Sequence, residues 1–356
     1  MLRHGLQLPD APANGDVDVG VNVMFPYVRV APGTSASFAV DPNSSDPIGQ
    51  WLLTHGYPEE PPTQLFRHLL RKGACVIDVG AHLGTFAIAA AALECEVIAI
   101  EAAPNNVALL LAAAARNSFD RCEIVHAIVA DRSGTAEFEP DLAWGHVVTA
   151  DVPARDQSIT LPTVTVDALV RQRGWSRVDM VKIDVEGSEL NVLKGMEQTL
   201  LRPDAPVLII ESNGVALRQY GSSPSALVQV LEDFGFALYL IDREVPGQLV
   251  PIDSTAVQAE TVVDLLAVKD FESFPLSPWV LGSALTADEV MRRLRVTSEA
   301  DHPLSRSYAA WTIERGPGWL RAHENALRII AELSSDLDDE VRSDAVRAAT
   351  VLRSGG

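Results

Sequence analysis

Short runs of consecutive apolar residues alternate with amphipathic segments through the middle of the chain. Uninterrupted apolar runs of this length are typical of strands that are buried on both faces of a parallel sheet. Apolar residues at three- and four-residue spacing predict helices instead. The pattern predicts strands at 74–80, 96–101, 122–130, 179–185, 205–211, 236–242 and 262–269, and helices at 84–93, 104–117, 188–201 and 223–234.

The order of these segments predicts how the strands are arranged. Repeated strand–helix units form a parallel sheet with helices on both faces and right-handed crossovers. The last two strands are joined by a loop with no helical pattern, so we expect them to pair antiparallel at one end of the sheet. The fold class is therefore α/β: a doubly wound, Rossmann-like sheet, mostly parallel, with one antiparallel strand at the end.

The chain divides into three regions that differ in composition and in the pattern of apolar residues. Residues 1–63 hold many of the prolines and several Gly/Ser/Asn clusters, which predict an N-terminal extension with short strands such as Val21–Val30. Residues 64–273 form the α/β domain, near whose start a helix is predicted from Pro62 to Arg71. Residues 274–356 show helical spacing and are predicted to be an appendage that caps the domain, covers the substrate or forms a dimer contact.

The charge and the hydrophobic content disfavour several classes of partner and compartment. The 356 residues include 28 Lys+Arg and 48 Asp+Glu, a formal net charge of −20, which disfavours nucleic acid and anionic membranes as partners. The hydrophobic fraction of 47% is enough for a packed core. No apolar run approaches the roughly 20 residues of a membrane span. The first residues also lack the apolar segment of a secretory signal, so we expect a cytoplasmic protein.

The most informative motif for a ligand site lies in the turn between the strand at 74–80 and the helix that follows it. Gly80 and Gly84 stand in this turn, where glycines let the backbone approach a ligand and the helix N-terminus offers N–H groups to an anion. Glu101 ends the next strand, where a carboxylate can accept both hydroxyls of a ribose. Together they predict an adenosine-containing cofactor at the switch point of the sheet.

Two cofactor classes compete for this turn, a dinucleotide and S-adenosylmethionine. A dinucleotide loop needs G-x-G-x-x-G, but His82 replaces the second glycine and no third stands at the required spacing. Asp78 would repel a pyrophosphate, whereas it suits the ammonium or sulfonium of S-adenosylmethionine. We therefore favour S-adenosylmethionine, and a flavodoxin-like turn without a ligand is the structural alternative.

Four segments of the chain resemble the FkbM family of S-adenosylmethionine-dependent methyltransferases. They are DVGAHLG, IEAAP, VKIDVEGSELNVLKGM and LIIES, and the similarity covers approximately Asp46 to Lys269. The departure is His82, where the family more often has Asn, and its backbone role should survive the change. The resemblance implies a class I methyltransferase fold and O-methylation of a hydroxyl on a sugar, a polyketide or another secondary metabolite.

The resemblance also implies a cofactor site at the carboxyl ends of the strands. The residues implied to contact the methionine portion are Asp78, Gly80, Ala81, His82 and Gly84. Those implied around the adenosine are Glu101 at the ribose, with Ala130 and Asp131 at the adenine. Asp184 and Glu186 follow the fourth strand, where the transferred methyl group would emerge.

Methylation of a hydroxyl requires removal of its proton, and an alkoxide is hard to make near pH 7 without a base or a divalent cation. Asp184, Glu186 and Glu211 stand where strand ends point into the cleft, and alternation along a strand gives the first two the same orientation. Asp184 is our first choice for a base or a metal-associated residue. Glu211 would orient the hydroxyl or buttress Lys182, and Glu186 would alternatively cap the following helix.

A second candidate base, His146, lies in the insertion between the third and fourth strands, where a substrate-facing loop is expected. A surface histidine is the alternative interpretation. The sequence contains no compact set of metal-ligand residues, so we assign no metal ligand, although some sugar methyltransferases use Mg²⁺ with carboxylates.

The predicted function is S-adenosylmethionine-dependent O-methylation of a small acceptor. Because the chain is strongly acidic, a neutral, polyhydroxylated acceptor is expected rather than an anionic one. An NAD-dependent oxidoreductase and a non-catalytic binding module on the same fold are the alternatives. Among protein partners, a homodimer through the C-terminal helices is expected.

Overall fold

The structure is a computed structural model that describes residues 27–29, 36–56, 61–141, 144–242, 247–254, 262–270, 280–281 and 323–354, with scattered residues between 291 and 313. The strands are β1 Tyr27–Arg29, β2 Ser37–Ala39, β3 Cys75–Val79, β4 Glu96–Glu101, β5 Cys122–His126, β6 Ile128–Val129, β7 Gly134–Glu139, β8 His146–Val147, β9 Ile159–Val164, β10 Met180–Ile183, β11 Val207–Asn213, β12 Ala237–Ile241, β13 Gln248–Ile252, β14 Val262–Val268 and β15 Val280–Leu281. The helices are α1 Pro47–His55, α2 Pro61–Leu69, α3 Ala87–Ala92, α4 Pro104–Asn117, α5 Val166–Arg173, α6 Glu189–Lys194, α7 Glu197–Leu200, α8 Gly214–Gln219, α9 Pro224–Asp233, α10 Glu324–Leu333 and α11 Asp339–Ser354.

The central sheet has nine strands in the order β15-β13-β12-β14-β11-β10-β3-β4-β5. The strands β5, β4, β3, β10 and β11 are parallel, and β14 runs antiparallel to both β11 and β12. The doubly wound sheet and the antiparallel pairing of the last two predicted strands are therefore confirmed. The antiparallel strand β14 lies inside the sheet rather than at its end.

The sequence pattern did not predict the two strands that lie beyond β12, which are β13 and β15. Strand β13 pairs antiparallel with β12, and β15 pairs only with Gln248 and Leu249 of β13. Pro251 lies in β13 beyond that short pairing, at the edge of the sheet, where a residue without an N–H group is tolerated. A proline inside a short apolar run argues against a strand when only the sequence is known.

The predicted third strand, 122–130, is also different in the structure. Strand β5 ends at His126, and β6 leaves the central sheet to join a four-stranded sheet in the order β6-β9-β7-β8. This second sheet, called the insertion sheet below, is formed by the segment that the sequence pattern left as a loop. Strand β6 pairs parallel with β9, a partner more than thirty residues away in the chain, which a local pattern does not show.

Two apolar cores cover the two faces of the central sheet. Because successive side chains of a strand point to opposite faces, Val76 belongs to one core and Ile77 to the other. Residues of α3 and α4 pack in the first core together with Phe38 of β2, so the described part of the N-terminal extension shares the core of the sheet. Full burial of each such side chain stabilises the fold by about 1.5–3 kcal/mol.

The helices α10 and α11 pack against each other through a separate apolar cluster, which includes Ile329, Leu333 and Val341. An ion pair between Arg306 and Asp336 adds to this unit. Two predicted segments lie partly outside the described residues. They are residues 286–296, within the region 274–356 predicted to be helical, and residues 21–26 and 30 of the predicted strand Val21–Val30. None of the helices that the structure describes is long and apolar enough to cross a membrane.

Candidate active site

A cavity of about 550 Å³ opens at the carboxyl ends of the central strands. Its volume falls within the range of small-molecule sites, roughly 300–1,000 Å³. The central sheet contributes Val79, Glu101 and Glu211, while α1 contributes Trp51 and the insertion sheet contributes His146. The cavity therefore lies at the place where doubly wound sheets bind their ligands.

The turn after β3 is shaped by close backbone contacts. Gly80 has a φ of +78°, and a Cβ atom on it would lie 1.8 Å from the carbonyl oxygen of Asp184. Gly84 has a φ of +89°, and a Cβ atom there would lie 2.6 Å from Cγ1 of Ile88. Both positions accept only glycine, because a side chain would collide with the end of β10 or with α3.

The backbone N–H groups of this turn are already used within the protein. Those of Gly80 and Ala81 donate to the carbonyl oxygen of Ile100, and that of His82 donates to Glu101. The N–H of Ala87, the first residue of α3, donates to Oδ2 of Asp78 at 2.8 Å. These four N–H groups are therefore not available to an anion, and this makes the turn poorly suited to the pyrophosphate of a dinucleotide.

Glu101 is held rigidly at the end of β4. Its Oε2 accepts the N–H of His82 and its Oε1 accepts the N–H of Ala103, each at 2.7 Å. The side chain is buried yet lines the cavity. Each carboxylate oxygen has a further lone pair, so the two oxygens can accept a pair of hydroxyl groups such as those of a ribose.

The side chain of His82 links the cofactor turn to α1. Its Nε2 lies 2.6 Å from Oδ2 of Asp46, which also caps α1 by accepting the N–H groups of Ile48 and Gly49. Although burial alone lowers the pKa of His82, the hydrogen bond and charge of Asp46 raise it above its usual value. Burial likewise raises the pKa of Asp46, but His82 and the two N–H groups bring it below its usual value. Both shifts favour the ion pair, in which His82 is protonated and Asp46 is ionised.

A buried charge network forms the floor of the cavity. Burial raises the pKa of Asp78 to about 7, against the opposing effect of Lys182. Burial alone lowers the pKa of Lys182, but Asp184, Asp264, Glu211 and Asp78 raise it above its usual value. The Nζ atom of Lys182 lies 3.3 Å from Oδ2 of Asp184, so this lysine neutralises a neighbouring carboxylate.

Three acidic side chains meet above this floor. Carboxylate oxygens of Asp184, Glu186 and Glu211 all lie within 4.8 Å of one another. Burial and the charge of Asp184 raise the pKa of Glu186 to about 7 and that of Glu211 to about 8. Such a cluster favours a cation over an anion, whether the positive part of a cofactor or a divalent metal ion. The sequence analysis placed all three at the cleft, but it did not group them as a possible set of metal ligands.

The role of Glu186 is settled by the local backbone. Strand β10 ends at Ile183, so strand alternation does not set the orientation of Asp184 and Glu186. Glu186 has a φ of +50°, and its Oε2 accepts a hydrogen bond from Nδ2 of Asn213 at 3.3 Å. Ser188 is the N-cap residue of α6. The alternative in which Glu186 caps the helix is therefore wrong.

His146 lies on a strand of the insertion sheet rather than on a surface loop. His146 is only 8% exposed, and it lines the cavity. Its Nε2 lies 3.5 Å from Oε2 of Glu139. The hydroxyl of Tyr220, at the end of α8, donates to the carbonyl oxygen of the neighbouring Val147. The interpretation of His146 as a surface histidine is therefore wrong.

The residues predicted to border the adenine do not line the cavity. Ala130 donates its N–H to the carbonyl oxygen of Val164, and Asp131 lies 3.9 Å from the guanidinium of Arg132. The preceding residues Ala127, Ile128 and Val129 line the cavity instead. The early end of β5 explains this shift, because the chain turns away from the sheet before residue 130.

Several residues of the cavity were missed by the sequence analysis. Trp51 and Trp144 are 42% and 53% exposed and stand on its wall, one from α1 and one from the insertion. Behind the cavity lining, Glu139 lies beside His146, and Tyr220 donates to the carbonyl oxygen of Val147. Of these residues, only the two tryptophans could have been singled out from the sequence, because a tryptophan in a polar segment predicts a contact surface.

The fold and the cavity together define a class of enzyme. The strand order β5-β4-β3-β10-β11-β14-β12, with β14 antiparallel, is that of class I methyltransferases. The glycine turn, the rigid Glu101 and the acidic floor fit S-adenosylmethionine, which carries a ribose and two positive charges, better than a dinucleotide. The protein is an S-adenosylmethionine-dependent methyltransferase.

The comparison with family models agrees with this class. Residues 78–238 match the model described as the methyltransferase FkbM domain, so this segment, somewhat less than half of the chain, is an FkbM methyltransferase domain. The resemblance stated from the sequence motifs is thereby confirmed. No curated protein gives a significant match to this chain.

Solved structures show only distant likeness. Precorrin-6y C5,15-methyltransferase from Geobacter metallireducens is 14% identical, with a TM-score of 0.37, and the match covers 65% of this chain and 94% of that one. A TehB-like S-adenosylmethionine-dependent methyltransferase from Corynebacterium glutamicum is 14% identical, with a TM-score of 0.34 and coverage of 61% and 92%. A methyltransferase from Aquifex aeolicus is 13% identical, with a TM-score of 0.33 and coverage of 58% and 88%.

Proposed function

We propose that this methyltransferase transfers a methyl group to a hydroxyl oxygen of a small, neutral, polyhydroxylated acceptor such as a sugar, a glycoside or another secondary metabolite. The observation that carries the proposal is His146. It is a buried histidine that lines the same cavity as the residues that fit the cofactor. A neutral imidazole can take the proton of a hydroxyl near pH 7, which hydroxyl methylation requires.

The residues of the floor fit S-adenosylmethionine by their donors and charges. Glu101 would hold the ribose hydroxyls, and Asp78 and Asp184 would face the positive charges. When bound, the cofactor supplies an electrophilic methyl group, so the acceptor oxygen bonds to that carbon as the carbon–sulfur bond breaks and S-adenosylhomocysteine remains. The protein residues align the acceptor and remove its proton.

The choice of base lies between His146 and the acidic cluster. Asp184 is paired with Lys182, and that pairing holds its carboxylate toward the floor. With a pKa of about 7, Glu186 is about half protonated near neutral pH, and Glu211, with a pKa of about 8, is mostly protonated. We therefore assign proton removal to His146 and the positive end of the cofactor to Asp184. Glu211, once deprotonated, would orient the hydroxyl.

The walls of the cavity favour an uncharged acceptor with an apolar face. Among the described residues that line it, the carboxylates are Asp78, Glu101, Asp184, Glu186, Glu211 and Asp264, and Lys182 is the one Lys or Arg. Lys182 is already paired with Asp184, so an anionic acceptor would meet several carboxyl groups and no unpaired Lys or Arg among these residues. The exposed indoles of Trp51 and Trp144 offer flat apolar surfaces against which a ring can pack.

The test is methyl transfer from labelled S-adenosylmethionine to a defined panel of acceptors. The panel contains methyl α-D-glucoside, 4-nitrophenyl β-D-glucoside and quercetin, and its charged counterparts are glucose 6-phosphate, 4-nitrophenyl β-D-glucuronide and glucosamine. We expect a labelled methyl ether from at least one neutral acceptor, identified by mass spectrometry, and none from the anionic ones. Label on the amine of glucosamine, on the anions alone or on no neutral acceptor would contradict the proposal.

A further inference from the structure

The insertion sheet places a buried carboxylate directly opposite His146. Strands β7 and β8 pair antiparallel with Glu139 in register with His146. The two residues are 4% and 8% exposed, and Nε2 of the imidazole lies 3.5 Å from Oε2 of the carboxylate. A charged side chain at this depth needs partners, so its place against a histidine calls for an explanation.

The carboxylate of Glu139 is fixed by the chain that follows β8. Its Oε2 accepts the N–H of Arg155 at 2.7 Å, and its Oε1 accepts the N–H of Asp156 at 3.0 Å. Each oxygen keeps a second lone pair. The carboxylate is therefore held in one orientation and can still accept a hydrogen bond from the imidazole.

The backbone on both sides of His146 is fixed as well. A Cβ atom on Gly145 would lie 2.6 Å from Cζ of Phe138, so the chain approaches the aromatic ring in a way that only glycine allows. On the other side, Tyr220 donates its hydroxyl hydrogen bond to the carbonyl oxygen of Val147. These contacts restrict the imidazole to a small range of positions between the carboxylate and the cavity.

The imidazole has an unused nitrogen. Within the part of the chain that the structure describes, Nε2 of His146 is buried without a hydrogen bond, although Glu139 lies only a few tenths of an ångström beyond bonding distance. Catalytic hydrogen bonds are often this long before substrate binds. A small rotation of the ring toward Oε2 would satisfy the nitrogen.

We infer that Glu139 is a positioning residue for His146, and this inference rests on the proposed function. Glu139 accepts the Nε2 hydrogen and so fixes the tautomer in which Nδ1 carries the free lone pair. The proton of the acceptor hydroxyl moves to Nδ1 as the oxygen forms its bond to the methyl carbon. The resulting imidazolium is stabilised by the adjacent carboxylate until the proton passes to water.

The first test observes the tautomer and needs no acceptor. Long-range ¹H–¹⁵N correlation spectra of the uniformly labelled chain would be recorded near pH 9, well above the pKa of about 6.5 of an ordinary histidine. His146→Ala assigns the signal of His146. We expect the Nε2–H tautomer in the wild type and a change of tautomer population in Glu139→Gln. An Nδ1–H tautomer in the wild type, or no change in Glu139→Gln, would overturn the inference.

Glu137 provides the matched control. It lies on the same strand β7, is exposed, and bonds Ser158 and Thr160 rather than a histidine. Glu137→Gln makes the same chemical change two residues away, so it should leave the His146 signal and turnover as in the wild type. Binding of S-adenosylhomocysteine by every variant, measured by calorimetry, confirms that the cofactor site is intact.

The second test is a double-mutant cycle with the best acceptor of the panel. We expect Glu139→Gln to lower kcat roughly 10- to 100-fold in the wild type and to have no further effect in His146→Ala, because a general base contributes roughly 100- to 10,000-fold. An equal loss in both backgrounds would show that Glu139 only supports the fold. Full activity of His146→Ala, or no methylated acceptor at all, would instead refute the proposed function, and the tautomer spectra would still decide the pairing.

Discussion

Replacing Gly80 with alanine would place a methyl group against the end of the neighbouring strand. The new Cβ atom would lie 1.8 Å from the carbonyl oxygen of Asp184 and 2.9 Å from its carbonyl carbon. That carbonyl belongs to a residue of the acidic cluster and is anchored, because the N–H of Asp184 donates to the oxygen of Val79 at 3.0 Å. Relief of the clash therefore has to move a part of the active site.

The structure supplies a matched control for this substitution. Gly174 has nearly the same backbone conformation, with a φ of +72° against +78° for Gly80, but a Cβ atom on it would meet nothing within 4 Å. Gly174→Ala should therefore show the conformational strain alone, roughly 1–2 kcal/mol of lost unfolding free energy. Gly80→Ala adds the collision, for which overpacking costs of about 1–3 kcal/mol are typical.

We expect Gly80→Ala to lower the unfolding free energy by about 2–5 kcal/mol, measured by urea denaturation. We also expect it to weaken binding of S-adenosylhomocysteine at least tenfold, measured by calorimetry, because Asp184 has to shift. Gly174→Ala should bind as the wild type does. If Gly80→Ala is no less stable than Gly174→Ala and binds normally, the reasoning from the close approach is wrong.

Three further predictions follow from other contacts of the cavity. Glu101→Gln should weaken S-adenosylhomocysteine binding about tenfold, because one oxygen that accepts a ribose hydroxyl becomes an amide donor; unchanged affinity would exclude the assigned role. The pairing of His82 with Asp46 raises the pKa of the histidine and lowers that of the aspartate. It therefore stabilises the fold most between about pH 4 and about pH 6.5, and this stabilisation is lost as the pH rises through the His82 pKa. The difference in unfolding free energy between the wild type and Asp46→Asn, which keeps the helix cap, should therefore shrink from about pH 6 to about pH 9, and a constant difference would refute the ion pair. Trp144→Ala should raise the KM for a neutral acceptor about tenfold without changing cofactor affinity, and an effect on the cofactor alone would contradict its place on the acceptor wall.

Several residues that we propose for the cofactor could be placed near one another from local sequence. Asp78, Gly80 and Gly84 stand within one turn, and Glu101 ends the next strand, so the rule that ligands bind at the carboxyl ends of parallel strands places them together. Asp184 and Glu211 follow from the same rule. Ala130 and Asp131, predicted at the adenine, do not line the cavity, because the prediction assumed that β5 continues to residue 130 whereas the chain leaves the sheet at Ala127.

The acceptor side depends on contacts that no local pattern contains. Glu139 and His146 are separated by a segment without a clear strand pattern, and only the pairing of β7 with β8 brings them together. Trp51 reaches the same cavity because Asp46 and His82 tie α1 to the cofactor turn. Glu186 approaches Asp184 through a left-handed turn rather than through strand alternation.

By itself, the sequence determined the α/β class, the parallel core of the sheet, the glycine turn and the family. Each of these depends on residues that are neighbours along the chain, so a local pattern is enough to predict it. Only the tertiary structure decided which carboxylates share the cavity, that the turn keeps its N–H groups for the protein, and that His146 is buried beside Glu139. The physical reason is that pKa values, burial and hydrogen-bond partners depend on distances between segments, and those distances are set by packing of the whole domain.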